Sequence, residues 1–244
     1  MRPALIALQF LTLLPIKLSS PPTLREQGYS LAFYPWVGLL LGALLCLLLS
    51  LVSDSSPALQ AGLLLTAWVV LTGGLHLDGL ADSADGWLGG LGNRERTLEI
   101  MRDPRCGSVA VITLVLVLLL KWLALWSLLE GSLPLWPVLL AVPLLSRASL
   151  PLLLLNTPNA RPDGLADQLR RNAPAALCRV SAYAGLVMAV ALLFGAWLAL
   201  AMTALLAWLL LRSMQRRLGG VTGDTAGAWV ELIECTLLLG LALA

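Results

Sequence analysis

Apolar residues run through this chain in long blocks separated by short polar breaks. A bilayer-spanning helix needs roughly 20 consecutive apolar residues, and the first block of that length is about Leu31–Val52. The polar turn Ser53-Asp54-Ser55-Ser56-Pro57 ends it, and a second span runs from about Ala58 to Leu75. A polar segment, His76–Arg105, follows. The third span is predicted at about Val109–Leu129, with Glu130-Gly131-Ser132 as its turn, and the fourth at about Pro134–Leu155. A second polar segment covers Asn156–Arg179, and the last span starts at about Ala226. The N-terminal stretch Pro3–Leu14 is too short to cross and reads as an interfacial helix.

Val180–Leu211 fits either one over-long tilted helix or two short ones, and the distribution of Lys and Arg decides between them. The turns at Ser53–Pro57 and Glu130–Ser132 carry no Lys or Arg, whereas the segments 1–29, 76–106 and 156–179 carry several each. That alternation puts the N-terminus in the cytoplasm. A turn near Phe194-Gly195-Ala196 also returns Arg212, Arg216 and Arg217 to the cytoplasmic side, so two spans are predicted. The expected fold is all-α: a polytopic transmembrane bundle of about seven spans with short interfacial helices. It forms a single domain over residues 1–244, with no internal repeat and no soluble domain.

Composition agrees. Hydrophobic residues make up 59% and charged residues 12%, and the mean hydropathy is +0.86, far from soluble averages. The net charge of +2 matters less than its placement. No Lys/Arg-rich patch with interleaved aromatics suggests nucleic acid, and membrane lipid is the expected surrounding partner. The fold class is compatible with a homo-oligomer. Cys46, Cys106, Cys178 and Cys235 are scattered and read as small apolar fillers rather than a disulfide or zinc framework. The start of the chain lacks a cleavable signal-peptide pattern, because Pro15 and Lys17 follow the short apolar stretch.

The chemistry is concentrated in three polar stretches. In His76-Leu-Asp-Gly-Leu-Ala-Asp-Ser-Ala-Asp-Gly86, a helical period of about 100° per residue brings Asp78, Asp82 and Asp85 onto one narrow face. Carboxylates that close repel one another unless a cation sits among them, and oxygen-only ligands suit a hard cation such as Mg2+. An acidic helix start complementing the dipole would place one carboxylate there, not three. His76 is a candidate general base, a phosphate donor or a polar residue at the interface. In the second stretch, Glu95, Glu99 and Asp103 recur at four-residue spacing, as on one helix face. Arg102 and Arg105 are candidates for gripping phosphate oxygens, and Asp103 for joining the metal.

The third stretch, Gly219-Gly220-Val221-Thr222-Gly223-Asp224, lets backbone approach an anion at the start of the final helix. Asp224 and Glu231 then share a helical face, and Glu231 and Glu234 enter an apolar span where acids are expensive. Lys121 and Arg147 lie within spans. Lys121 fits snorkelling or a pair with Glu130, and Arg147 a phosphate contact.

With those residues in view, the chain resembles the cobalamin synthase family, the adenosylcobinamide-GDP ribazoletransferases. The likeness covers nearly the whole length. It runs through Gln9-Phe10-Leu11-Thr12 with Pro15, Tyr34-Pro35-Trp36-Val37-Gly38, and Gly73-Gly74-Leu75-His76-Leu77-Asp78-Gly79-Leu80-Ala81-Asp82 with Asp85-Gly86. It continues with Glu99-Ile100-Met101-Arg102-Asp103 and Ser146-Arg147, and closes with Gly219–Asp224, Gly227 and Glu231. Two positions depart from the family pattern: Leu13 stands where an Arg is common, and Ala110 where a glycine is often found.

The resemblance implies the last stage of nucleotide-loop assembly. α-Ribazole, or its 5′-phosphate, attacks the cobinamide-side phosphorus of adenosylcobinamide-GDP, and GMP leaves. It implies Mg2+ as cofactor, held by Asp78, Asp82, Asp85, Asp103 and Asp224. Arg102, Arg105, Arg147, Thr222 and Gly223 would contact substrate, and His76, Asp82 or Asp85 would carry catalysis. Two other readings compete. The acidic motif also looks like that of CDP-alcohol phosphotransferases, although its spacing is tighter. A cation-coupled transporter would use Asp78, Asp82, Asp85 and Glu231 as an ion path, but would favour acids near the bilayer midplane.

Overall fold

The computed structural model describes residues 2–131, 134–162 and 164–244. Ser132 of the predicted turn therefore lies outside the described residues. Among the described residues the secondary structure is helical, with no strand beyond one isolated bridge. The helices are α1 (Arg2–Leu11), α2 (Leu24–Ser30), α3 (Tyr34–Leu51), α4 (Pro57–Thr72), α5 (Leu75–Gly89) and α6 (Arg94–Ile100). They continue with α7 (Ser108–Glu130), α8 (Trp136–Asn156), α9 (Leu165–Asn172), α10 (Ala175–Leu192), α11 (Trp197–Leu218) and α12 (Gly223–Ala242).

Six helical segments are long and apolar enough to cross a membrane: Leu24–Leu51, α7, α8, α10, α11 and α12. The bent pair α4 and α5 passes the same test only when the two helices are counted as one broken span, which would bring the number to seven. The protein is a multi-pass membrane protein of the expected kind. The ambiguous stretch is two helices, α10 and α11, which part at Gly195 with φ of 94°. The first span starts earlier than hydropathy suggests, because α2 runs through a 3-10 turn at Leu31–Phe33 straight into α3.

The bundle is ordered by what each helix faces. α8 and α12 bury most of their apolar length, while α7, α10 and α11 leave most of theirs exposed. In lipid, exposed Leu and Val are what a stable outer surface requires. α12 packs against α5, α7, α8 and α11, and α8 packs against α3 and α10. α8 and α12 thus form the centre that the other spans surround.

One feature of the path was not visible in the hydropathy. α4 does not carry the chain straight into the acidic motif. Gly73 and Gly74 both adopt left-handed backbone, with φ of 62° and 67°, and the chain turns by 88° into α5. Residues with a Cβ rarely adopt this conformation, so the glycine pair makes the corner. The turn sends α5 across the end of α12.

Candidate active site

The position of the acids follows from one close crossing. A Cβ on Gly79 of α5 would sit 2.7 Å from the Asp224 carbonyl oxygen and 3.2 Å from the Gly227 Cα. A Cβ on Gly227 of α12 would meet the His76 carbonyl oxygen at 3.1 Å. Only glycine at both places lets the backbones come this near. The crossing fixes the phase of α5 so that Asp78 and Asp82 face the start of α12, where Asp224 stands. The charges of Asp224, Asp78 and Asp85 all act on Asp82, with Arg161 opposing them. Asp78, Asp82, Asp85 and Asp224 thus lie near one another at one end of the bundle.

Their surroundings differ. Asp78 is exposed and Asp224 half-buried, and both line a cavity of about 320 Å3. Asp224 accepts a hydrogen bond from Arg161 Nη1 at 2.6 Å within an ion pair. Arg161 reaches it because the connection after α8 pairs with the approach to α12: Ala160 N–H donates to the Val221 carbonyl and Val221 N–H to that of Pro158. Asp82 is half-buried between these groups. Asp85 has other work. Its two oxygens accept from the backbone N–H groups of Gly107, at 2.6 Å, and Ala110, at 2.9 Å. It caps the start of α7, a site where a carboxylate also meets the positive end of the helix dipole.

Several predicted contacts are not assembled. Arg147 is buried inside the bundle, 1% exposed, and it pairs with Glu234 rather than lining the cavity. Lys121 is equally buried and bonds Glu231 at 2.9 Å and Glu234 at 2.7 Å, not Glu130. Glu130 instead accepts from Trp126. Thr222 is buried as the N-cap of α12, its hydroxyl accepting from Thr225 N–H in a reciprocal capping box. Its neighbour Gly223 is the exposed member and does line the cavity.

α6 ends at Ile100, so Asp103 does not continue the face of Glu95 and Glu99. Asp103 grips Arg105 locally, with Arg105 Nη2 at 2.6 Å, and that pair keeps its carboxyl down at about 2. Neither Arg102, which is exposed, nor Arg105 nor Asp103 is a wall of the cavity.

Two groups escaped the sequence reading. Arg161 was passed over within the polar segment Asn156–Arg179, although an Arg between two helices in a Pro/Gly-rich stretch (Pro158, Pro162, Gly164) was a usable signal. The apolar side of the cavity, including Phe10, Tyr34, Leu150 and Leu154, was also missed as a unit. Its first two members belong to the motifs Gln9–Thr12 and Tyr34–Gly38 that carried the resemblance.

Carboxylates are hard oxygen donors, and Asp78, Asp82 and Asp224 match the chemistry of a divalent ion such as Mg2+. Among the described residues no three Asp, Glu, His or Cys side chains stand at metal-binding spacing. The cation on Asp224 in this structure is Arg161.

Comparison with known proteins is consistent over the full length. The family model described as cobalamin-5-phosphate synthase matches residues 3–242. The adenosylcobinamide-GDP ribazoletransferase of Stutzerimonas stutzeri (strain A1501) is 56% identical, over 100% of this chain and 98% of that protein. The protein of the same name from Pseudomonas putida (strain GB-1) is 54% identical, over 100% of this chain and 99% of its own. That from Pseudomonas aeruginosa (strain PAO1) is 52% identical, over 100% and 98%. No solved structure matches. A match that leaves out only the terminal residues, on a bundle that brings the motif acids together, assigns the chain to the cobalamin-5-phosphate synthase family.

Proposed function

We infer that the chain is an adenosylcobinamide-GDP ribazoletransferase, joining adenosylcobinamide-GDP to α-ribazole or its 5′-phosphate and releasing GMP. One observation carries this reading: Asp78 of α5 and Asp224 of α12 line one cavity together with Arg161, and Asp82 lies close enough to feel the charge of all three. Transfer between phosphates needs charge neutralisation and alignment more than covalent help. A divalent cation held by Asp78, Asp82 and Asp224 would supply that neutralisation for the diphosphate. Arg161 adds a planar donor fork that matches phosphate oxygens.

The step balances simply. The ribose hydroxyl oxygen of the acceptor forms a bond to the cobinamide-side phosphorus, and the bond to the bridging oxygen breaks. GMP departs with that oxygen and the electron pair. The hydroxyl proton passes to a carboxylate of α5, Asp78 or Asp82, because Asp85 is tied to two backbone N–H groups and Asp224 to Arg161. The lysine and arginine bias of the connecting segments supports a cytoplasmic site in the bacterial inner membrane.

The test is GMP release by the purified protein in lipid nanodiscs, given adenosylcobinamide-GDP, α-ribazole and Mg2+. Turnover that stops on chelation with EDTA and returns with added Mg2+ is the expected result. No turnover here, together with turnover of a CDP-alcohol, would overturn the assignment.

A further inference from the structure

The cavity behind the acids has two unlike parts. Its rim is charged, with Asp78, Asp224 and Arg161. Much of its remaining lining is apolar: the rings of Phe10 and Tyr34 lie stacked with centroids 6.2 Å apart, and Leu150 and Leu154 extend the wall. A buried imidazole interrupts that wall. His76 lines the cavity, is 4% exposed, and its Nδ1 has no hydrogen-bond partner. Buried polar groups are ordinarily satisfied, and an exception beside a cavity suggests that a bound molecule satisfies it.

We propose that this cavity receives the flat aromatic base of the acceptor nucleoside, and that the His76 imidazole donates to the free ring nitrogen of that base. The proposal rests on the functional reading above. A volume of about 320 Å3 lies at the low end of the roughly 300–1,000 Å3 of small-ligand pockets. A corrin macrocycle with its side chains is several times too bulky. Guanine presents donors and acceptors around most of its edge, and an apolar wall would leave them unpaired. A benzimidazole-type base has two apolar faces and a single accepting nitrogen once its other nitrogen carries the sugar. That pattern matches a stacked aromatic wall with one unpartnered polar side chain. With the base inside, the ribose emerges at the rim, beside Asp78 and Asp224. The corrinoid stays outside, where its size is accommodated by the membrane surface. In this arrangement His76 is a specificity residue for the acceptor and takes no proton from it.

The test reads binding rather than turnover, so that it stays separate from the assigned reaction. Calorimetry on the full chain in nanodiscs compares α-ribazole with the riboside in which the accepting ring nitrogen is replaced by CH. For the wild type the replacement weakens binding by about tenfold, the scale of one hydrogen bond. In His76→Phe the two ligands bind equally. Independently, Leu154→Trp fills the cavity and weakens α-ribazole by more than about tenfold, while GMP binding changes by less than about twofold. Equal losses from the nitrogen replacement in wild type and His76→Phe would overturn the proposal. So would Leu154→Trp weakening GMP while sparing α-ribazole, or wild-type protein that binds no α-ribazole. Should GMP release fail while the His76-dependent discrimination stands, the reaction is misassigned but the base pocket is not.

Discussion

Two groups of charges in this protein use the same residue types to opposite ends. Inside the bundle, Lys121 and Arg147 meet Glu231 and Glu234, two cations against two anions, all buried. Ser146 adds a hydrogen bond to Glu234, and the Lys121 ammonium lies 4.9 Å from the centroid of the Trp68 ring. At and beside the cavity rim, Asp78, Asp224 and the neighbouring Asp82 share the charge of Arg161 and keep contact with water. The inner group is balanced, so it can hold α7, α8 and α12 together without a ligand. The outer group carries excess negative charge, which favours recruitment of a further cation. Charge in a membrane protein is thus no guide to function until its partners are counted. Glu231 and Arg147 looked as chemical in the sequence as Asp82 did.

The sharpest way to break this contrast is Glu234→Ala, which leaves Arg147 and Lys121 short of a partner in an apolar interior. Removing one member of a buried pair costs about 3–5 kcal/mol, and a thermal melt in detergent is expected to fall by on the order of 10 °C. Asp82→Ala should do the reverse, lowering GMP release by at least about 100-fold with the melting temperature within about 2 °C of wild type. Equal damage to folding from both substitutions would mean that the rim acids are structural too.

Asp85→Asn tests the border between the groups. Losing a charged cap on α7 is expected to cost about 1–2 kcal/mol in the same melt, with turnover within about threefold of wild type. A loss of turnover as deep as that of Asp82→Ala would return Asp85 to the reaction. The smallest effect belongs to Asp103→Ala, outside both groups, with a melting temperature expected within about 1 °C of wild type. Because Arg105 depresses the folded carboxyl to about 2, its contribution is present above the ordinary carboxylate range and is lost as pH falls toward about 2. Melting curves of variant and wild type should therefore stay parallel from pH 7 down to about pH 5.

Much of this was legible from the linear chain, and the failures have physical causes. The spans could be read because hydropathy is local, and Gly195 could be placed because the Lys/Arg bias demanded another turn. The acids of α5 could be put on one face because helical phase is local as well. The capping of α7 by Asp85 could not be read because a carboxylate at that phase serves a cation or a neighbouring helix start equally well, and only the position of Gly107 and Ala110 reveals it. Arg161 was missed because its partner lies 63 residues away, joined by an isolated backbone bridge that leaves no periodic trace. Thr222 was given to substrate because a glycine-rich approach to a helix looks alike whether its hydroxyl caps the helix or faces a ligand.

The residue order alone determined that this chain lives in a membrane, that it crosses several times, and that Asp78, Asp82 and Asp85 share one helical face. A bilayer forces each crossing to satisfy its own backbone hydrogen bonds, so length and polarity are read directly from the chain. Tertiary structure decided which charges meet. The corner at Gly73–Gly74 and the glycine-to-glycine crossing of α5 on α12 set the angle and phase of the acidic helix. That geometry turned Asp78 and Asp224 toward a cavity with Asp82 beside them, while the packing of α7, α8 and α12 closed Lys121, Arg147, Glu231 and Glu234 upon one another.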